Sequence, residues 1–505
     1  MKSSKTSTII RRSVQGIIFL FFVYVIWTTR YPLNAFVNAK SFFQIDPLVM
    51  FITAIAERLI LPGMLLAFIT LAVTFLFGRI FCGWFCPLGA TFDIWAWLTK
   101  KFRKKGEKEP SKLKNLKYWI LFILFLFASA GIQLIWFFDP ITIFVRTFSF
   151  NIHPFINKSL ENLFAFVIQI TNYPQWLELF YFKIKEAFLA VSNPVFPNSF
   201  YIFIIFLALL SLIFIKRRFW CRYLCPLGAL LAIAAKFTPF RRRYSCGINC
   251  GSCKNICRMN AIKSDNSYIA EECVLCLDCI DYCPNLKSAF SFKSISIKNE
   301  NISGSENTLT RAQFIKWLGG SLFFISGCSR TLIAKLGIKS KVIRPPASLK
   351  EGEFVQRCVR CGNCMKVCPT NVLQPSLIEN GFSGIWTPKF DTNIGYCEYK
   401  CILCGQVCPT GAIKKIDLNE KMKTIMGLAV IDKSICLPWA KEEECIVCEE
   451  HCPISNKAIK TDKIKNKKGK LIKRPYVDPS LCVGCAICEN KCPVAPRKAI
   501  IVKPI

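Results

Sequence analysis

The sequence predicts two fold classes in one chain. The first is an α-helical membrane domain of four helices in two repeats, with a fifth anchor further on. The second is a set of small α+β domains built around cysteines. Three observations carry this. Long apolar runs recur through the first 215 residues. The stretch that ends the second run, GRIFCGWFCPLGA (Gly78 to Ala90), returns after the fourth as KRRFWCRYLCPLGA (216–229). Lastly, 29 of 505 residues are cysteine, and most fall in groups of four with regular spacing.

The membrane domain is expected over residues 1–243. Apolar runs at about Ser13–Thr29, Leu61–Phe77, Tyr118–Phe138 and Phe200–Ile215 are long enough to span a bilayer, some only just. The repeat reaches back from the motifs. FFQIDPLVMF (Phe42 to Phe51) precedes the second run, and FFDPITIF (Phe137 to Phe144) lies ahead of the fourth. A duplicated unit would bring Cys82, Cys86, Cys221 and Cys225 near one pseudo-twofold axis. Cysteines at i and i+4 share a helical face, so each CxxxCP pair has three readings. It is a reactive dithiol, half of a four-thiolate metal or cluster site, or a helix-capping turn. Asp46 and Asp139 each precede a proline, the pattern of an N-cap followed by Pro at the first helical position.

The formal net charge is +35. Much of it flanks the apolar runs, where membrane topology explains it, so a nucleic-acid partner is not expected. Arg11 and Arg12 precede the first run. Arg79, Lys100, Lys101, Arg103, Lys104 and Lys105 follow the second. Lys216, Arg217, Arg218, Arg241, Arg242 and Arg243 follow the fourth. The loops at 30–60 and 139–198 are less basic. The positive-inside rule then puts the N-terminus and both CxxxCP motifs on the cytoplasmic face. The first run ends in Thr28, Thr29 and Arg30 rather than a small-residue cleavage site, so no cleavable signal peptide is expected.

Residues 244–290 form the first cysteine module. Cys246, Cys250, Cys253 and Cys257 make one group, and Cys273, Cys276, Cys279 and Cys283 the next. Zinc sites come as separated CxxC pairs, and disulfides belong to small secreted domains. The C-x2-C-x2-C-x3-C-P grouping is that of [4Fe–4S] ligands, where the fourth cysteine of each group serves the other cluster. Cys246, Cys250, Cys253 and Cys283 are thus expected on one cubane, and Cys273, Cys276, Cys279 and Cys257 on the other. Residues 291–341 read as a polar linker and a membrane anchor at about Phe314–Ile333, with a buried helix as the alternative. Cys328 within it is read as a free thiol, although Ile325 to Cys328 resembles a lipobox.

Residues 342–505 hold four more groups: Cys358, Cys361, Cys364 and Cys368; Cys397, Cys401, Cys404 and Cys408; Cys436, Cys445, Cys448 and Cys452; Cys482, Cys485, Cys488 and Cys492. A proline follows the last cysteine of each. Spacing leaves open whether the groups pair sequentially or in a nested way. The prediction is six [4Fe–4S] clusters in α+β ferredoxin-like domains. His451 lies inside a group that already has four cysteines, so it is not expected to be a ligand.

On these motifs, residues 1–290 resemble NapH-type proteins, membrane components of a quinol dehydrogenase. The resemblance rests on FCGWFCPLG, CRYLCPLGA and the following dicluster module. Residues 310–505 resemble the NapG/MauM-type polyferredoxins through RPPASLKEGEFVQRCVRCGNCMKVCPTNVL and the four groups. The resemblance implies a fusion of two associating proteins, multi-pass in a bacterial inner membrane. It draws electrons from the quinone pool and passes them to a periplasmic redox enzyme or cytochrome, such as a nitrate reductase-like enzyme. The dicluster module is then cytoplasmic and the polyferredoxin periplasmic. TRAQFIK (Thr310 to Lys316) resembles a twin-arginine signal, but Ala312 replaces the second arginine. In this setting Asp46 and Asp139 have a second reading, as proton acceptors at an outer quinol site. His153 is read as an ordinary loop histidine, with a haem or quinone role as the alternative. The other function class is a cofactor-assembly or metal-reducing protein like the cupric reductases, which share CxxxCP motifs but normally end in a β-sandwich.

Overall fold

The computed structural model describes residues 6–33, 36–102, 113–171, 175–187, 194–244, 252–263, 267–283, 288–292, 342–465, 469 and 471–505. All of the expected linker and anchor (291–341) beyond residue 292, with Cys328 and the TRAQFIK stretch in it, and Cys246 and Cys250 lie outside them. The chain divides into two compact units. One comprises Met1–Tyr24, Ser41–Val145 and Phe203–Gly337, the other Val25–Lys40, Arg146–Ile202 and Ile338–Ile505.

Helices form at the apolar runs, but there are more than the four expected, because the stretches read as loops at 30–60 and 139–198 are largely helical too. α1 is Thr6–Thr28. α2 is Pro47–Glu57, with Asp46 as N-cap accepting from Leu48 N and Val49 N. α3, Ala67–Phe77, stops at Gly78, whose φ of 79° ends the helix. α4 is Pro87–Leu98 and α5 Leu116–Ser129. α6 is Pro140–Thr147, α7 His153–Ile170, α8 Phe200–Ser211 and α9 Pro226–Ala235.

Two helical stretches among the described residues, Thr6–Thr28 and Pro197–Phe214, are long and apolar enough to cross a membrane. The other two predicted runs give shorter helices. Leu116–Ser129 has 14 residues, roughly 21 Å at 1.5 Å per residue, against a hydrocarbon core of about 30 Å. The run breaks at Gly131, where φ is 77°, and resumes only as the single turn Ile135–Phe138. Apolar composition alone did not reveal that break.

Each cysteine module is closed by antiparallel chain segments that bracket two groups. In the first unit β1 (Phe240–Tyr244) pairs with β2 (Ser288–Phe292) around the first module. In the second unit Ser348 bridges Ile413, and Leu349 N donates to Ala412 O at 3.1 Å, around the groups at 358–368 and 397–408. Short strands β3 (Leu373–Pro375) and β4 (Pro388–Phe390) pair between those groups. β5 (Gly427–Ile431) then pairs with the C-terminal strand Ile500–Pro504 around the groups at 436–452 and 482–492. A hairpin, β6 (Ile459–Lys465) with β7 (Leu471–Val477), is inserted between them. With the C-terminal strand as β8, this is the expected α+β architecture, and the brackets define which groups share a module.

Candidate metal centres

The bracketing strands settle what spacing left open. Cys358, Cys361 and Cys364 line one cavity with Cys408, the fourth cysteine of the next group. Cys436, Cys445 and Cys448 line another with Cys492. Reciprocally, Cys368 is the charge neighbour shared by Cys397, Cys401 and Cys404. Cys485 has both Cys482 and Cys452 as charge neighbours. The groups therefore pair sequentially, each giving three cysteines to its own centre and one to its neighbour's. In the first module Cys279 faces Cys273, Cys276 and Cys257 in the same way. Cys253 and Cys283 are buried beside them.

These donor sets fit [4Fe–4S] clusters. Four thiols converge on each cavity, and the lining is almost wholly apolar, which keeps water from the ligands. Burial pushes the Cys358 thiol up to about 11 and Cys448 up to about 12. Such thiols stay protonated in water at neutral pH and release their protons when a metal binds in their place. His451 is exposed. Its Nδ1 lies 2.9 Å from Val447 O, one turn back in the helix that it caps.

The two modules of the second unit are tied where two centres adjoin. Cys397 N donates to Cys485 O at 2.9 Å, and Met426 N to Val483 O at 3.0 Å. A Cβ on Gly484 (φ 71°) would stand 2.4 Å from Gly427 O, so the backbones touch there because both residues are glycine. The centres thus follow the order Cys358 group, Cys397 group, Cys482 group, Cys436 group, which is not the order of the sequence.

The CxxxCP motifs, both in the first unit, share one geometry. Each forms a π-turn, Phe81–Phe85 or Trp220–Leu224, followed by a helix with Pro at its first position. The second cysteine of each caps that helix. Cys86 Sγ accepts from Gly89 N at 3.4 Å, and Cys225 Sγ from Gly228 N at 3.2 Å. The capping reading is therefore realised for Cys86 and Cys225. All four cysteines are also buried, and Cys86 and Cys225 each have Cys221 and Cys82 as charge neighbours. The repeat brings the four thiols together.

Two arginines lock this arrangement, each three residues before the first cysteine of its motif. Arg79 is 0% exposed. Its Nη2 lies 4.0 Å from Cys82 Sγ and donates to Cys221 O of the other copy at 3.5 Å. Arg218 Nη1 donates to Cys82 O at 3.2 Å, and its Nη2 pairs with Asp93 at 2.7 Å. Sequence reasoning assigned both arginines to topology and missed this role. The signal was their identical place in the two copies.

The dicluster module packs on the first motif and on the helix that follows the second, Pro226–Ala235. Trp84 Nε1 donates to Leu275 O at 2.9 Å, and Arg79 Nη1 to Glu271 O at 3.0 Å. A Cβ on Gly83 would stand 2.0 Å from Val274 O, so only glycine admits the contact. The second copy has Arg222 at that position. The module also holds the start of α1, through Thr8 N to Asp281 Oδ2 at 2.5 Å.

Asp46 and Asp139 are N-caps, as the sequence suggests. Leu48 N donates to Asp46 Oδ1 at 2.8 Å and Thr142 N to Asp139 Oδ2 at 2.6 Å. Both side chains are fully buried, and their carboxyl groups meet across the repeat.

His153, read as a loop residue, begins α7 and is 1% exposed. Burial, then the charges of Lys366 and Arg30, lower its pKa to about 2, so the ring is neutral. Nothing in its local sequence signals that burial.

Comparison with known proteins agrees with the cysteine pattern. The 4Fe-4S binding domain family matches residues 59–105 and 198–245, the two CxxxCP segments. The 4Fe-4S dicluster domain family matches 357–412 and 443–495. The methylamine utilization ferredoxin-type protein MauM of Methylobacillus flagellatus is 38% identical over 165 residues, 32% of this chain and 68% of that protein. The ferredoxin-type protein NapG of Escherichia coli is 35% identical over 167 residues, 32% of this chain and 71% of that one. The regulatory protein NosR of Pseudomonas aeruginosa is 32% identical over 231 residues, 43% of this chain and 26% of its own length. No solved structure matches the chain.

Proposed function

The chain belongs to the MauM/NapG family of ferredoxin-type proteins. From that premise we propose that it is a membrane-bound electron-transfer protein that oxidises quinol and feeds a redox partner outside the cytoplasm. Residues 1–290 act as a NapH-type membrane component and residues 342–505 as its fused polyferredoxin. Six cubanes are held by the 24 grouped cysteines, paired as described. Oxidation of one quinol releases two protons and two electrons, and the clusters accept the electrons one at a time. The Asp46–Asp139 pair is a proton-holding group in this scheme. The four CxxxCP thiols form a further redox or metal site, since each half supplies only two ligands and a cluster needs four.

The observation that carries this reading is the continuous order of centres in the second unit. Its entry is the Cys358 group. Its middle is joined at Cys397 and Cys485, and it ends at the Cys436 group. A relay of this kind has use only between a donor and a distant acceptor. The sides of the membrane are supported by what each module packs on. In the first unit the dicluster module touches the first motif and Thr8, beside the basic flanks. In the second unit residues 342–505 touch the poorly basic loops. Lys40 Nζ donates to Gln406 O at 3.2 Å, and Asn371 and Gln374 bind Val195 O at 2.8 and 3.0 Å. Those contacts favour a cytoplasmic dicluster module and an outer polyferredoxin.

Anaerobic purification followed by iron assay and titration with a soluble quinol tests the proposal. At least about 24 iron atoms per chain are expected, four per cubane, with visible bleaching on quinol addition. Iron near eight per chain would remove the C-terminal groups as cluster sites. Reduction by dithionite but never by quinol would overturn the donor.

A further inference from the structure

The second unit contains a buried polar site that the relay does not account for. His153 and Ser149 lie one turn apart on the continuous helical segment formed by the π-turn Phe148–Ile152 and α7. His153 is 1% exposed and Ser149 0%. Among the described residues, neither ring nitrogen of His153 nor Ser149 Oγ has a hydrogen-bond partner. A polar atom buried without a partner is destabilising, so three such atoms on one face call for something to meet them. The surroundings fit a flat aromatic guest. The Trp27 ring is edge-on to His153 at 4.6 Å and to Phe148 at 6.2 Å.

The site also lies beside the relay's entry. Phe150, on the same π-turn, packs on Gly362 between Cys361 and Cys364. A Cβ there would come within 2.5 Å of the Phe150 ring. Lys366, two residues before Cys368, donates to Ile26 O near the end of α1. Asn363, 1% exposed and next to Gly362, has both amide atoms without a partner.

We propose that His153 and Ser149 bind the hydroxyl-bearing headgroup of a quinol, with Trp27 against its ring, next to the Cys358 centre. The neutral imidazole accepts the quinol O–H, and the serine hydroxyl meets the headgroup from the next turn. The guest is defined by its chemistry. It is a flat ring with a donor hydroxyl, and exposed Phe155 lies two residues along α7 from His153. This deepens the proposed function by naming the donor's site, and it rests on that reading.

The test uses the full chain in lipid nanodiscs and a fluorescent quinol mimic, 2-heptyl-4-hydroxyquinoline N-oxide, whose quenching reports binding. Wild type should bind. His153→Phe should bind about tenfold to hundredfold more weakly, the loss of one buried hydrogen bond. Ser149→Ala should weaken binding by less. His153→Gln, which keeps an acceptor, should recover much of it. Iron content and dithionite bleaching at wild-type levels show that a variant has folded. Unchanged binding in both His153→Phe and Ser149→Ala overturns this site and leaves the quinol donor standing. A wild type that neither binds the mimic nor is bleached by quinol overturns the donor itself.

Discussion

Arg79 and Arg218 show how a duplicated sequence becomes one site. Each arginine reaches the carbonyl of the first cysteine in the opposite copy, so neither motif holds its shape alone. If the four thiols form a redox site between quinol and the dicluster module, Cys82→Ser with Cys86→Ser should stop quinol-driven bleaching of that module's two cubanes while dithionite still reduces all six. Serine keeps the size but is a poor soft-metal ligand and cannot cycle as a thiol. Normal quinol-driven bleaching in that variant would leave the motif as a helix cap. A second expectation concerns the cluster ligands. With burial raising Cys358 to about 11 and Cys448 to about 12, these thiols are neutral at pH 8 in cluster-free protein. Their alkylation by iodoacetamide should speed roughly tenfold per pH unit up to about pH 11, because the thiolate is the nucleophile. Mass spectrometry of peptides from pH 7, 8 and 9 reactions measures this, and a rate flat in pH refutes it. At this scale the sequence was legible where chemistry is short-range. Ligand spacing marks a cubane within about 12 residues, whereas the burial of His153 depends on chain more than a hundred residues away.

Among the elements, the π-turns matter most, because each aims a cysteine and a neighbour at the same time. The first turn offers Gly83 to the Val274 carbonyl, and the second has Arg222 at the equivalent position. Gly83→Leu should therefore detach the dicluster module, at a cost of about 1–3 kcal/mol for the forced shift. Limited proteolysis within residues 244–290 would report it as faster cleavage than in wild type. Equal cleavage of Gly83→Leu and wild type would mean that the contact does not hold the module. The sequence displayed both motif copies but not the close approach at Gly83, which meets a carbonyl almost 200 residues away. Helix lengths were only partly legible for a related reason. Composition marks residues 118–138 as one apolar run, but the backbone turn at Gly131 divides it.

For the whole molecule, the proposed topology makes a direct prediction. A reporter fused after Ile505 should be active outside the cytoplasm, and one fused near Lys287 should be active inside. Two inside reports would cut the polyferredoxin off from any outer partner. The class of the molecule could be read from its cysteines, and the family comparison agrees. The order of its centres could not, because it depends on strand pairs such as Gly427–Ile431 with Ile500–Pro504 that join distant segments.

The exchange of fourth cysteines has a consequence for how such a chain can change over generations. Because Cys368 and Cys408 trade places, as do Cys452 and Cys492, no centre can be lost alone without stripping a ligand from its neighbour. A viable deletion must remove a bracketed pair, and a viable duplication must add one. Conductors of this kind should lengthen or shorten in steps of two. A frameshift that removes only the last group here would sever the line in its middle and orphan its far end, although the text lost is the final few words.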